Sequence, residues 1–345
     1  MSVLRLAEIA EHGTDAQRGN LLGVQPFMLT ADYASVDAFR AKLGAYLEVA
    51  AHRGWLNERT IVVWPEYLGT WLAAAGEGQA VIQSRTLGAA MRALALRHGL
   101  RFARTLLSAR EKDRVAASLF RLKGSDMARH YQAVFSSLAR QYGVTVVAGS
   151  ILLPSPHVHD GRVMAGRGLL YNTCAVFQPD GTAHAAMVRK LVPTTAEQPF
   201  VASAPLSDLP TFETPAGRLG VLICADSWYP EPYQRLKAEA VDLIAVPSFI
   251  TSAGLWDRPW KGYDGAAPPA GVDPRDVGTL TEGQAWRKYA LAGRIAQTGA
   301  KHGLNVFLRG ALWDLGADSG CALAIGGDRV TEAGCAGAAL LNLWL

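Results

Sequence analysis

Cys224, Glu66 and Lys190 have the types and placement needed for covalent catalysis, because each ends a short apolar run. GVLICADSWYPE carries Cys224, TIVVWPE puts Glu66 directly behind Ile61 to Trp64, and HAAMVRK ends on Lys190. A short apolar run bounded by turn signals reads as a strand buried on both faces, and reactive groups on open α/β sheets collect where such strands stop. A thiol with a pKa of ~8.5 is only slightly ionised near neutrality. It needs a base to take its proton and a cation to hold the charge that develops. Glu66 and Lys190 are of those two kinds. Taken singly, each also has a plainer reading: an inert core thiol, a helix-capping acid and a solvated strand end.

The elements that must position these residues follow from the hydrophobic periods. Asn20 to Met28 reads as a first buried strand, and Ser35 to Trp55 as an amphipathic helix with Phe39, Leu43, Tyr46 and Leu47 on one face. A long helical region spans roughly 78–142, with Arg92, Arg101, Arg104 and Lys112 recurring between apolar positions. Val144 to Leu152 is a further strand. Leu169 to Gln178 and Ala183 to Lys190 form a hairpin around Pro179, Asp180 and Gly181, which places Lys190 at the end of a well-fixed strand. After Cys224 a helix runs from about Pro230 to Ala240, with proline and Glu231 in its first turn. Its N-terminal end and nearby amides such as that of Ala225 suit a developing oxyanion. Val241 to Pro247 is the next strand. A helix near Gln284 to His302 and strands near Leu304 to Leu308, Gly320 to Ile325 and at the C-terminus complete the layers.

Two segments resist that pattern. PSPHVHDGR holds His157, His159 and Asp160 in a spacing known from metal sites, but no further ligand cluster accompanies it and it reads as a polar hairpin loop. Residues 250–283 have no sustained period and contain Trp256, Trp260 and Tyr263; a loop of this length reads as a pocket wall or lid, or else as a surface ornament packed by its own aromatics.

At VVWPE, at RKLVPTTAE and at RLGVLICADSWYPE, taken in this order, the sequence resembles the nitrilase, or carbon-nitrogen hydrolase, superfamily. YGVTVVAGS, YNTCAVFQPDG and AALLNLWL support the resemblance, which covers roughly residues 20–345. It implies a four-layer α-β-β-α sandwich of α/β class in a single domain over 1–345. Residues 1–19 become an N-terminal extension, 78–142 an inserted helical region and 250–283 a lid. It implies that Glu197, seven residues past Lys190, hydrogen-bonds the lysine, and that the domain pairs into a homodimer or higher homo-oligomer. The implied chemistry is acyl transfer from an amide to Cys224, with Glu66 as general base and Lys190 and the Ala225 N–H on the oxyanion, and with no metal or organic cofactor. Tyr67 and Trp228 are expected to line the acyl pocket. Ala225 and Asp226 stand where nitrilases have Trp and Glu, which favours an amide or an N-carbamoyl compound over a nitrile. Passing the acyl group to an amine would make the protein an acyltransferase, and loss of chemistry would leave a binding scaffold.

Composition removes other classes. A formal charge of +4 over 345 residues argues against nucleic acid as main partner, and a small-molecule substrate remains. The charge is uneven, since residues 85–129 hold eleven Lys or Arg against three acids. This stretch fits docking to an anionic membrane surface or an acidic partner, and equally a solvated helix face. Glu8, Glu11 and Asp15 interrupt any signal-peptide run, and no stretch approaches a ~20-residue membrane span, so a cytoplasmic location is expected. Cys174, Cys224, Cys321 and Cys335 are too few and too dispersed for a disulfide framework or zinc site and are expected to be reduced thiols.

Overall fold

The computed structural model describes residues 4–265 and 267–345; Met1 to Val3 of the expected extension and Ala266 of the expected lid lie outside the described residues. In chain order the elements are β1 (Leu6–His12), β2 (Asn20–Gln25), β3 (Phe27–Leu29), α1 (Val36–His52), β4 (Thr60–Val63), α2 (Gln79–Ile82), α3 (Leu87–Ser108), α4 (Arg114–Tyr142), β5 (Thr145–Pro154), β6 (His157–His159), β7 (Arg162–Met164), β8 (Leu170–Phe177) and β9 (Val188–Arg189). The second half adds β10 (Thr211–Thr214), β11 (Gly217–Val221), α5 (Pro230–Ala238), β12 (Leu243–Ser248), α6 (Glu282–Tyr289), α7 (Leu291–Arg294), β13 (His302–Phe307), β14 (Arg309–Ala311), β15 (Ala322–Gly326), β16 (Arg329–Ala333) and β17 (Ala338–Trp344).

Two sheets form the centre. One has the order β1-β17-β2-β4-β5-β8-β9 and the other β10-β11-β12-β13-β15-β16. The side-chain period of two divides each central strand between two cores. Leu21, Ile61, Val63 and Val147 face Val221, Val246 and Leu304 between the sheets. Their neighbours Leu22, Val24, Val62, Trp64 and Val146 face Phe39, Leu43 and Tyr46 of α1 and Val134, Phe135 and Leu138 of α4. On the far side, Tyr233 and Leu236 of α5, Ala285 and Tyr289 of α6 and Leu291 of α7 cover the second sheet. The layers therefore run helix, sheet, sheet, helix, as expected from the resemblance. Among the described residues no helix is long and apolar enough to cross a membrane.

Capping residues mark where the helices begin. Ser35, Thr86 and Asp113 each accept the backbone N–H three residues on, at 3.1, 3.1 and 2.9 Å. Each satisfies a donor that the first helical turn would leave unpaired. Gly143, in the left-handed conformation, ends α4. The helical region 78–142 comprises α2, α3 and α4, and α3 is itself broken at Gly99.

Five expectations change. Of the strand expected over Ala183 to Lys190 only Val188–Arg189 pairs as a strand with β8, and Ala183 makes an isolated bridge to Phe177. Residues 6–12 are a strand paired in parallel with β17; Glu8 and Glu11 hid a strand that occupies the sheet edge, where charge is tolerated. The first expected strand is split by Pro26, and its second part, β3, pairs with β14. The helix expected to reach His302 ends at Arg294, because His302 to Phe307 pair in parallel with β12. Cys321 and Cys335 form a disulfide instead of remaining reduced. The antiparallel register Ala322↔Ala333 brings the ends of β15 and β16 together, a proximity that a spacing of 14 residues conceals.

Candidate active site

Glu66 leaves β4 on a loop that β5 holds in place. The Trp64 N–H donates to Val147 O at 3.0 Å, and the Ser150 N–H donates to Pro65 O at 3.2 Å. The Tyr67 N–H donates to Ser150 Oγ at 2.8 Å. These contacts need a bulge in β5 between Val147 and Ser150, and Gly149 supplies it with a φ of +66°. A Cβ there would lie 2.3 Å from Pro65 O, so the close approach admits only glycine.

Lys190 is set by strand pairing. Its N–H donates to Asn172 O at 2.8 Å and its carbonyl accepts from the Ala204 N–H at 3.0 Å. The ammonium then donates to Glu66 Oε1 at 2.7 Å and to Glu197 Oε2 at 2.6 Å, with all three side chains buried. Asn172 Nδ2 donates to Glu66 Oε1 and to Glu197 Oε1, both at 2.8 Å, and Tyr67 Oη donates to Glu197 Oε1 at 2.6 Å. Glu197 also accepts from the Thr194 N–H at 2.8 Å.

Cys224 stands in a single 3-10 turn, Cys224–Trp228, between β11 and α5, with a φ of +50°. A non-glycine residue in that region carries local strain on the order of 1–3 kcal/mol, maintained by the surrounding packing. The amides beside the thiol therefore belong to this turn rather than to α5, which begins only at Pro230. Among the described residues the Ala225 N–H has no backbone acceptor. The thiol donates a hydrogen bond to Phe249 O at 3.8 Å, and the charges of Glu66 and Lys190 act on it.

Burial dominates the electrostatics. It raises Glu66 to about 7, against the opposing charge of Lys190. Burial and the Glu66 carboxylate push the Cys224 thiol well above its ordinary value, with Lys190 opposing. Burial alone would lower Lys190, but the charges of Glu197 and Glu66 outweigh it and keep the ammonium protonated. Burial also pushes Glu197 upward; the charge and hydrogen bonds of Lys190 and Tyr67 prevail and the net shift is downward. The two acids thus differ in role, one a permanent counter-ion and the other able to exchange a proton near neutrality.

Asn172 and Asp226 complete the constellation. Asp226 Oδ1 accepts the N–H groups of Leu191 and Val192 at 3.0 and 2.8 Å, and Oδ2 accepts that of Ile223 at 3.3 Å. It ties the chain after Lys190 to the turn that carries Cys224, and burial raises it to about 7. Asp226→Ala is expected to leave these donors unpaired, at about 1–3 kcal/mol for a buried group. kcat should fall with KM little changed, and Asp226→Asn, which keeps an acceptor for Leu191 and Val192, should recover part of the loss. Steady-state kinetics of both variants, with thermal melts, check this.

A cavity of about 570 Å³ opens on these groups. Glu66, Lys190, Glu197, Cys224, Tyr67, Ala225 and Trp228 all border it. Tyr67 contributes its ring while its hydroxyl anchors Glu197. Trp228 stacks on Trp260 with centroids 5.7 Å apart and meets Trp286 edge-on at 5.1 Å. The 250–283 segment supplies Leu255, Trp260 and Tyr263 to the wall, and the opposite wall comes from Trp71, Leu87, Met91, Leu94 and Phe120. His157 and His159 lie in the exposed β6–β7 hairpin, away from this cavity's lining. Among the described residues, Cys321, Glu332 and Cys335 are a further group of possible metal ligands, but the disulfide occupies both sulfurs.

Comparison with known proteins bears on this arrangement. The chain is 33% identical to Omega-amidase NIT2 of Danio rerio over 138 residues, 37% of this chain and 46% of that protein. It is 27% identical to Nitrilase 2 of Arabidopsis thaliana over 114 residues, 29% of this chain and 34% of that protein. The chain spans less than half the length of these curated relatives. Its fold is similar to a cysteine-to-serine mutant of the Nesterenkonia AN1 amidase from the nitrilase superfamily, with a TM-score of 0.57 at 13% identity over 95% of this chain and 92% of that one. It also resembles a carbon-nitrogen hydrolase from Helicobacter pylori G27, with a TM-score of 0.53 at 15% identity over 94% and 88% of the two chains. The family profile described as Carbon-nitrogen hydrolase matches residues 38–266, and the chain belongs to that family, within the nitrilase superfamily.

Proposed function

We propose that this protein hydrolyses the C–N bond of an amide through a thioester on Cys224. The observation that carries the reading is one buried ammonium, Lys190, held between Glu66 and Glu197, with Glu66, Lys190 and Cys224 bordering one cavity. Glu66 takes the Sγ proton as sulfur attacks the carbonyl carbon, and the oxyanion is held by Lys190 and the Ala225 N–H. Glu66 returns the proton to the nitrogen, the C–N bond breaks, and the amine leaves the acyl group on sulfur. Water, deprotonated by Glu66, attacks the thioester; the C–S bond breaks and the thiol regains its proton.

The largely apolar cavity supports an acyl group larger than acetyl, since Trp228, Trp260 and Leu255 on one side and Met91, Leu94 and Phe120 on the other offer more contact than a methyl can use. The test is ammonia release from acetamide, bulkier aliphatic and aromatic amides, N-carbamoyl compounds and nitriles, with mass spectrometry of acid-quenched enzyme. Turnover of bulky amides, with the acyl mass on the Cys224 peptide, is expected. Turnover confined to nitriles or N-carbamoyl compounds would replace the amide reading. Transfer of the acyl group to an added amine in preference to water would make the protein an acyltransferase.

A further inference from the structure

The three most exposed large apolar side chains among the described residues lie in α3, Leu96 before its break at Gly99 and Leu100 and Leu107 after it. Leu96, Leu100 and Leu107 of α3 are 82%, 82% and 81% exposed, and Val115 in the first turn of α4 is also exposed. The same helix carries Arg92, Arg97, Arg101 and Arg104, all exposed, and has no Asp or Glu from Leu87 to Ser108. Exposed Arg110, Lys112 and Arg114 extend the basic surface into α4, with the half-buried acids between them engaged, Glu111 by Arg121 and Asp113 as the cap of α4. The inner face of α3 is engaged: Ala90 and Leu94 pack with Val81, Ile82 and Leu119, and Leu87, Ala90, Met91 and Leu94 line the cavity that holds Cys224.

We propose that the outer face of α3, with the start of α4, docks on an anionic lipid bilayer. Leu100 and Leu107, exposed with Arg101 and Arg104 in the acid-free segment after Gly99, match an interfacial helix, whose apolar side chains enter the headgroup boundary while guanidinium groups meet lipid phosphates. Charge complementarity selects this occupant over a second copy of the chain. A two-fold pairing through this face would bring one arginine set against the other. Docking sets the α3 wall of the cavity about one helix diameter, ~10 Å, from the bilayer.

The experiment is co-sedimentation of the full chain with vesicles of phosphatidylcholine alone and of phosphatidylcholine with phosphatidylglycerol, at low and high salt. Binding to the anionic vesicles, weakened by salt, is expected. The combined Leu96→Ser, Leu100→Ser and Leu107→Ser variant should bind at least about tenfold more weakly, and each of Arg92→Gln, Arg101→Gln and Arg104→Gln about fivefold more weakly. Circular dichroism melts show that the variants are folded. Absence of wild-type binding to anionic vesicles, or wild-type binding by the folded leucine variant, would overturn the proposal. So would a concentration-dependent dimer, lost in that variant, in a chain that ignores vesicles.

Discussion

Cys224→Ala is expected to abolish amide turnover, with a loss on the order of 10⁴ to 10⁶ in kcat, as deletion of a covalent nucleophile does elsewhere. The acyl adduct should vanish with it. The variant should still fold. Alanine keeps a Cβ and so retains the backbone strain at φ +50°, and the lost sulfur removes packing on the order of 1 kcal/mol, a shift of a few degrees in Tm. Substrate should still bind, because the apolar walls around Trp228 and Phe120 are untouched. Retained turnover in the folded variant would remove Cys224 from the chemistry. The same electrostatics set how the resting thiol responds to alkylation. Burial and the Glu66 carboxylate keep the proton on sulfur, so slow reaction with iodoacetamide near neutrality is expected of a working enzyme here, and such slowness does not distinguish it from a binding scaffold. The covalent intermediate does.

The convergence of Glu66, Lys190 and Cys224 on one cavity was legible because each lies at or just past the end of an apolar run, a pattern that local sequence preserves. The sheets were legible for a related reason: β2, β4, β5 and β12 are buried along their length and carry apolar runs between a few polar residues. Asn172 was not, although YNTCAVFQPDG is among the stretches that carry the resemblance. An asparagine inside a strand looks like an interruption, and its value appears only when β8 lies beside β9 and its amide meets two carboxylates from distant segments. Asp226 carries a visible signal, an acid two residues past the cysteine, but its partners at Leu191 and Val192 are 35 and 34 residues away in sequence and no period relates them. Gly149 is another case, one glycine among 35, singled out only by the approach of Pro65 O. The disulfide and β1 were missed because hairpin register and edge pairing are decided by tertiary contacts rather than local pattern.

Glu66→Gln separates proton transfer from position at this site. Glutamine keeps an oxygen to accept from Lys190 and Asn172, so the constellation should persist and only the base is removed. kcat/KM is expected to fall by about 10² to 10⁴, the usual contribution of general acid–base catalysis. The pH profile supplies the sign. Glu66 must be ionised to accept the thiol proton, and burial places its pKa at about 7. Wild-type kcat/KM should therefore be lost as pH falls through about 7, decreasing roughly tenfold per unit below it, and should level off above. In Glu66→Gln that limb should disappear along with the rate. A variant that stays folded and keeps the limb would move the titration to another group, of which Asp226, also raised to about 7 by burial, is in place beneath the Cys224 turn. Asp226→Asn distinguishes the two, since loss of the limb there and not in Glu66→Gln would make Asp226 the proton carrier, whereas the contacts of Asp226 are all to backbone N–H groups that hold the loop and the turn.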